Sequence, residues 1–356
     1  MAITTAPIAR NATLADVAEA AGVHRSTASR ALSPETAHKI SPDVVARVAA
    51  AARALGYRRD LAAAGLRNNR TGLVGMLVPD IANPVFAPVL AGAQAALAEA
   101  GYAVLIANAR DGDSGLVALV EGLWARRAEG LIIATAHDGD PVIARCLQEG
   151  RPAVLVNRTD ASERLPAATS NDREGMRLAV RHLVSLGHVR IAHLGGPPNV
   201  STGRLRAQGF AEAMRMEGLT PGLMEAASAY TRNAGQAAAA DLFNQGGFTA
   251  IVTANDLLAL GAYQEMAARG IACPRDISVT GHNDMALVDM VQPPLTTIRI
   301  NLSQMGREAA ALLLERIRAQ TAPIQHVFSE PQLIVRGSTA SPTQTAQTVP
   351  VRLVRL

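Results

Sequence analysis

The chain has 356 residues, 49% hydrophobic, 18% charged and only 3% aromatic, with a formal net charge of +4. At roughly 150 residues per domain that gives two domains or a little more and a sizeable core, which excludes a peptide-sized, disulfide-stapled or disordered chain. The charge is uneven: residues 1–70 hold ten Lys and Arg against five Asp and Glu, and the other 286 residues hold 24 against 25. All the excess is N-terminal, the pattern of a nucleic-acid-contacting arm on a near-neutral body.

Thr13 precedes an apolar-periodic segment with Asp16 at the capping-box position, predicting a helix that stops at Ala21-Gly22, where glycine supplies the positive φ of an abrupt turn. A second helix is predicted over 24–32, with Thr27, Ala28 and Ala31 small enough to sit against the first. A third opens with Ser41 as N-cap, Pro42 at the first helical position and Asp43 against the dipole, and ends before Gly56. This is an all-α, helix-turn-helix unit, whose second helix lies in the major groove. Its polar face is Arg25, Ser26, Ser29 and Arg30. Arg30 has the fork geometry for guanine, the serines suit bases or phosphates, and the bland alternative is a merely solvated face. His24 reads three ways: weak cap, phosphate contact or solvated residue.

Residues 58–70 are Ala-rich and too short for a stable helix alone, so they read as a linker that orders on a partner. From residue 73, apolar runs over 73–78, 103–107, 131–134, 153–156, 191–194, 250–253 and 277–281 alternate with amphipathic segments. This predicts α/β architecture: two doubly wound parallel-sheet lobes with a cleft between them. The segment from Gly337 onward, rich in Ser, Thr, Gln and Pro and without apolar heptads, is expected to be loosely ordered.

Nucleotide-binding, nucleophile-elbow and metalloprotease motifs are absent, so no catalytic residue, metal or cofactor is expected. Cys146 and Cys273 belong to no ligand cluster and read as a reduced pair. Without an eighteen-residue apolar run or a signal peptide at 1–10, a cytoplasmic protein with no membrane partner is expected.

The stretch Thr13-Leu14-Ala15-Asp16-Val17-Ala18-Glu19-Ala20-Ala21-Gly22-Val23, with Ser26-Thr27-Ala28-Ser29-Arg30-Ala31-Leu32, resembles the DNA-binding headpiece of the LacI/GalR family of bacterial transcription regulators. Further landmarks follow in family order: 54–57, Asn83-Pro84-Val85-Phe86, Glu174-Gly175, Leu186-Gly187-His188, Arg206 with Gly209-Phe210, Thr253-Ala254-Asn255-Asp256 and Pro293-Pro294-Leu295-Thr296-Thr297-Ile298. The resemblance implies a headpiece over 1–57, a hinge helix over 58–70, a core over 71–340 and a flexible tail over 341–356. The core would comprise a first lobe (about 71–169 and 299–328) and a second (about 170–298 and 329–340), resembling periplasmic binding proteins.

It further implies a homodimer on pseudo-palindromic double-stranded operator DNA, contacted by Thr13, His24, Arg25, Ser26, Thr27, Ser29, Arg30 and Tyr57. Leu66, flanked by Ala63 and Arg67, would be a minor-groove wedge, against the plainer reading of linker packing beside Gly65. A small effector would meet Asp80, Asn83, Phe86, Asn157, Arg158, Asp172, Arg206, Asn255 and Asn283. Phe86 reads equally as core, and Asp172 as a helix cap. Many sugar-responsive relatives carry Asp where this chain has Asn157 and Asn283. Asn beside Arg158 and Arg206 leaves spare positive charge, so an anionic effector such as a sugar acid is expected, whose binding would change operator affinity. The rivals are a solute-binding protein without a regulatory role, an enzyme on the same scaffold and a sequence-blind DNA binder.

Overall fold

The computed structural model describes residues 12–33, 36–57, 71–108, 115–161, 163–319 and 322–343. The chain divides into two units, Met1–Thr71 and Gly72–Leu356.

In the first unit, α1 (Leu14–Ala20), α2 (Arg25–Ala31) and α3 (Pro42–Ala54) surround a small core of Val17, Ala18, Ala21, Ala28, Ala31, Val48 and Ala52. The predicted capping box forms: Asp16 N donates to Thr13 Oγ1, and the Asp16 carboxylate accepts from Thr13 N at 2.7 Å. Gly22, at φ 61°, reverses the chain after α1, and Val23 N donates back to Ala18 O at 3.0 Å. Apolar Val23 then closes over the core. Because alanines form most of the contact surface, the helices approach closely without large side chains.

The second unit holds two six-stranded sheets. The first has the order β11-β5-β4-β3-β1-β2 and is wholly parallel: β1 (Leu73–Val78), β2 (Ala103–Asn108), β3 (Leu131–Ile133), β4 (Ala153–Val156), β5 (Ala167–Ser170) and β11 (His326–Ser329). The second has the order β12-β10-β9-β8-β6-β7: β6 (Ile191–Gly195), β7 (Met224–Ala226), β8 (Ala250–Thr253), β9 (Ser278–Asn283) and β10 (Thr296–Arg299), with β12 (Gln332–Ile334) antiparallel at its edge.

Period-two alternation sends successive β1 residues to opposite faces. Met76 and Val78 pack under α4 (Phe86–Glu99) and α11 (Leu302–Arg318), while Leu77 faces α5 (Leu116–Ala125) and α6 (Pro141–Gln148). The α4–α11 crossing is backbone-close: a Cβ on Gly92 would lie 2.0 Å from Ser303 O, and one on Gly306 2.1 Å from Val89 O. In the second lobe, α7 (Asp172–Ser185) and α8 (Ser201–Met216) cover one face, and α9 (Arg232–Gln245) and α10 (Asp256–Arg269) the other. The chain passes between sheets three times, from β5 into α7, from β10 into α11 and from β11 into β12.

The expectation of loose order from Gly337 is corrected for its first residues. Ser338 is fully buried; its hydroxyl donates to Val279 O at 2.6 Å and accepts from Thr296 N at 2.8 Å, bridging β9 and β10. His182 and His188 hold Thr339 Oγ1 and Ala340 O, each at 2.9 Å. Hydroxyl and backbone groups fasten this segment, so the lack of apolar residues did not predict its order. Residues 344–356 lie outside the described residues.

Candidate functional site

In the first unit, α2 presents exposed Arg25, Ser26 and Arg30, with Thr27 and Ser29 half-buried beside the core alanines. His24 takes the capping role among its three readings: its Nδ1 accepts from Ser26 N at 3.3 Å and lies 2.8 Å from Ser26 Oγ. Arg30 Nε donates to Ser26 O at 3.3 Å, folding the guanidinium along the helix. Thr13, also expected at the DNA, is the N-cap of α1, and its hydroxyl donates to Asp16 within the capping box. Tyr57 packs half-buried on the core after its N–H donates to Ala52 O at 2.9 Å. Ala63, Leu66 and Arg67, with the rest of the predicted hinge helix, lie outside the described residues.

In the second unit, a narrow cleft opens at the carboxyl ends of the strands, the place where open parallel sheets bind ligands. It brings together seven of the predicted residues, Asn83, Phe86, Asn157, Arg158, Arg206, Asn255 and Asn283, and adds Val85, Thr202 and Tyr230. Asn157, just after β4, and Asn283, the last residue of β9, have φ 64° and 108°, a left-handed backbone that Asn tolerates better than most residues. Asn255 Oδ1 caps α10 by accepting from Leu258 N at 2.9 Å, which leaves its Nδ2 for a ligand. Phe86 begins α4 and is 3% exposed, so it serves as both core and cavity wall.

Two predicted residues do not line this cavity. Asp80 is exposed and builds the turn that carries Asn83, its Oδ1 accepting from Ala82 N at 2.9 Å and its carbonyl from Asn83 N at 3.1 Å. Asp172 lies behind the cavity, 4% exposed, and its Oδ1 accepts from Arg206 Nε at 2.9 Å and from Ser170 Oγ at 2.8 Å. The cap of α7 is instead Asn171.

Arg206 also donates from Nη1 to Ala254 O at 2.6 Å, so two fixed acceptors aim the guanidinium. Burial alone would lower its pKa, but the charge and hydrogen bond of Asp172 together with Tyr230 and Asp256 outweigh this and hold it above its ordinary value. Burial likewise pushes the Tyr230 phenol up against the pull of Arg206, which keeps it a neutral donor. Behind Arg206, burial drives His193 down to about 4 and His282 well below the usual imidazole range, so both rings are neutral. Tyr230 and Thr202 face one another as hydroxyl partners, and among the described residues Asn283 Oδ1 has no hydrogen-bond partner and is left to a ligand or water. Beside the cavity the lobes meet through Thr159 N, donating to Ser201 Oγ at 2.9 Å, and through the Arg204–Asp138 ion pair.

Tyr230 and Thr202 were not among the expected residues. Their signal was positional: each follows a strand of the second sheet, Thr202 after β6 and Tyr230 after β7, at the ligand-facing end.

The sequence pattern of bacterial regulatory proteins of the lacI family matches residues 13–60, and that of a periplasmic binding protein-like domain matches residues 180–339. The chain is 36% identical over 338 residues to the HTH-type transcriptional regulator MalR of Streptomyces coelicolor, an alignment spanning 92% of this chain and 96% of that protein. It superposes on the lac repressor dimer bound to operator and the anti-inducer ONPF with a TM-score of 0.82 at 28% identity, covering 93% of this chain and 100% of the other. A transcriptional regulator CelR–cellobiose complex gives 0.71 at 29%, covering 92% and 99%. Among the described residues no helix is long and apolar enough to cross a membrane. With a capped helix-turn-helix unit, two parallel-sheet lobes and likeness along almost the whole length of a curated regulator, the chain belongs to the lacI family of bacterial regulatory proteins.

Proposed function

We propose that the chain binds operator DNA as a homodimer through α2 of its headpiece, and that a small carbohydrate in the cleft sets the affinity of that binding. The observation that carries the ligand half is the composition of the cavity. Four asparagines, a threonine and a tyrosine surround one aromatic wall, an array of donors and acceptors suited to hydroxyls.

The charge argument for an anionic effector is weakened by Asp172, which neutralises Arg206 from behind. Arg158 is the other arginine in the wall. The neutral polyol is the better match, because a carboxylate would also face the Asp172 charge through Arg206. A ligand that touches Asn83 and Phe86 on one lobe and Arg206 and Asn255 on the other favours one lobe arrangement, and linkage passes that preference to DNA affinity.

The test has two parts. Fluorescence anisotropy with the gene's own upstream DNA should show affinity that falls steeply with salt and exceeds that for random DNA. Calorimetry should show a neutral sugar binding more tightly than its acid counterpart; the reverse order would restore the anionic effector, and absence of any sugar binding would refute the ligand assignment.

A further inference from the structure

A second cavity of about 330 Å³ opens beside the β5–α7 crossover, lined by residues that include Thr159, Thr169, Ser170, Asn171, His326 and Phe328. We propose that it receives a further saccharide ring, so that the effector is at least a disaccharide whose linkage passes Asn157. This rests on the carbohydrate reading of the first cavity.

Phe328 carries the argument first. It sits on edge strand β11 and is 57% exposed, a large ring left facing a concave site, with His326 on the same face of the strand two residues before it. A free aromatic face beside hydroxyl and amide groups suits the apolar CH face of a sugar ring.

The polar groups supply both hydrogen-bonding senses. His326 Nε2 must donate to Leu165 O, at 3.2 Å, so Nδ1 is an acceptor. Asn171 Oδ1 is taken by the cap of α7, which leaves its amide as a donor. Ser170 donates to Asp172 and keeps its lone pairs. The cation is already committed, since Arg173 pairs with Glu212 and with Gln208, and Asp172 pairs with Arg206, while Glu163 adds a carboxylate acceptor to the wall. A phosphate-bearing ligand would need spare cations, and a hydrocarbon would strand these polar groups. A neutral polyhydroxylated ring satisfies both demands.

Asn157 connects the two sites because it lines both cavities. The buried ion pair is their shared wall, with Arg206 lining the first and Asp172 the second. One ligand crossing at Asn157 therefore touches both ends of the pair.

The test is calorimetry of the full chain against D-glucose, D-galactose and D-xylose, each beside maltose, cellobiose, lactose or xylobiose as its disaccharide. One disaccharide should bind about tenfold more tightly than its constituent monosaccharide. Phe328→Ala and the bulk-preserving Phe328→Leu should both erase that gain while leaving monosaccharide affinity unchanged. If a monosaccharide binds as tightly as every disaccharide, or both variants retain the gain, the second subsite is overturned and the carbohydrate reading survives. If no sugar in the panel binds, both fall.

Discussion

Replacing Asp172 by Asn removes one charge from a pair in which the side chains of Arg206 and Asp172 are 3% and 4% exposed. The amide keeps the shape of the carboxylate and its capacity to accept from Arg206 Nε and Ser170 Oγ, so the perturbation is electrostatic. It leaves a guanidinium buried with Ala254 O as its fixed acceptor and the neutral rings of His193 and His282 nearby. Breaking a buried pair from one side destabilises by about 3–5 kcal/mol, because the stranded charge keeps its desolvation penalty. At roughly 2 °C per kcal/mol for a core of this size, the melting temperature should fall by about 6–10 °C. The double variant Asp172→Asn with Arg206→Gln removes the stranded charge and should recover most of that loss. Scanning calorimetry of the wild type, both single variants and the double variant gives the coupling directly. A melting temperature for Asp172→Asn within about 2 °C of wild type, or a double variant as unstable as the sum of the singles, would refute the claim that Asp172 acts by neutralising Arg206.

Arg30→Ala should reduce operator affinity by about 1–3 kcal/mol and relax the preference at one base position if the guanidinium reads a base; a uniform loss across sequences with a salt slope lower by about one would make it a phosphate contact instead. Anisotropy at several salt concentrations separates the two. Acid should destabilise the core. His193, held down to about 4 by burial, is neutral when folded, whereas the unfolded chain protonates it near 6.5. The unfolded state therefore takes up protons first as pH falls, so stability complete above about 6.5 declines toward 4, by about 2 kcal/mol for His193 between pH 7 and pH 5. Urea denaturation at the two pH values checks this, and His193→Gln should flatten the difference. Arg204→Ala removes an inter-lobe ion pair whose side chains are 31% and 40% exposed. It should weaken sugar binding by no more than about fivefold, because solvent screens such pairs. A larger loss in calorimetry would mean that Arg204 does more than tie the lobes.

The headpiece could be read from sequence because local chemistry fixes it. Thr13 and Asp16 cap α1, Gly22 turns the chain and Pro42 starts α3, each acting within a few residues. The central strands β1, β3, β4, β6, β8 and β9 were visible as buried apolar runs. Strands β5 and β10 were not, because Ala167–Ser170 and Thr296–Arg299 carry few large apolar groups and are strands only through their neighbours. β7, β11 and β12 are short edge or near-edge strands with exposed positions, which weakens any alternation. In the cavity, the asparagines could be placed by family order, but Asp172 could not be told from a ligand-facing carboxylate. Its partner Arg206 is 34 residues away, and only packing brings them together.

Three passages between the sheets have a consequence for synthesis. The first sheet spans residues 73–170 but is completed by β11, and α11 covers one of its faces. A nascent chain emerging from the ribosome thus carries its first sheet unfinished until more than 300 residues have been made, although its three N-terminal helices are complete long before. A premature stop after β10 would leave the reading head intact and both sheets lacking an edge strand, so truncated transcripts would yield a DNA-binding fragment with no competent sensor.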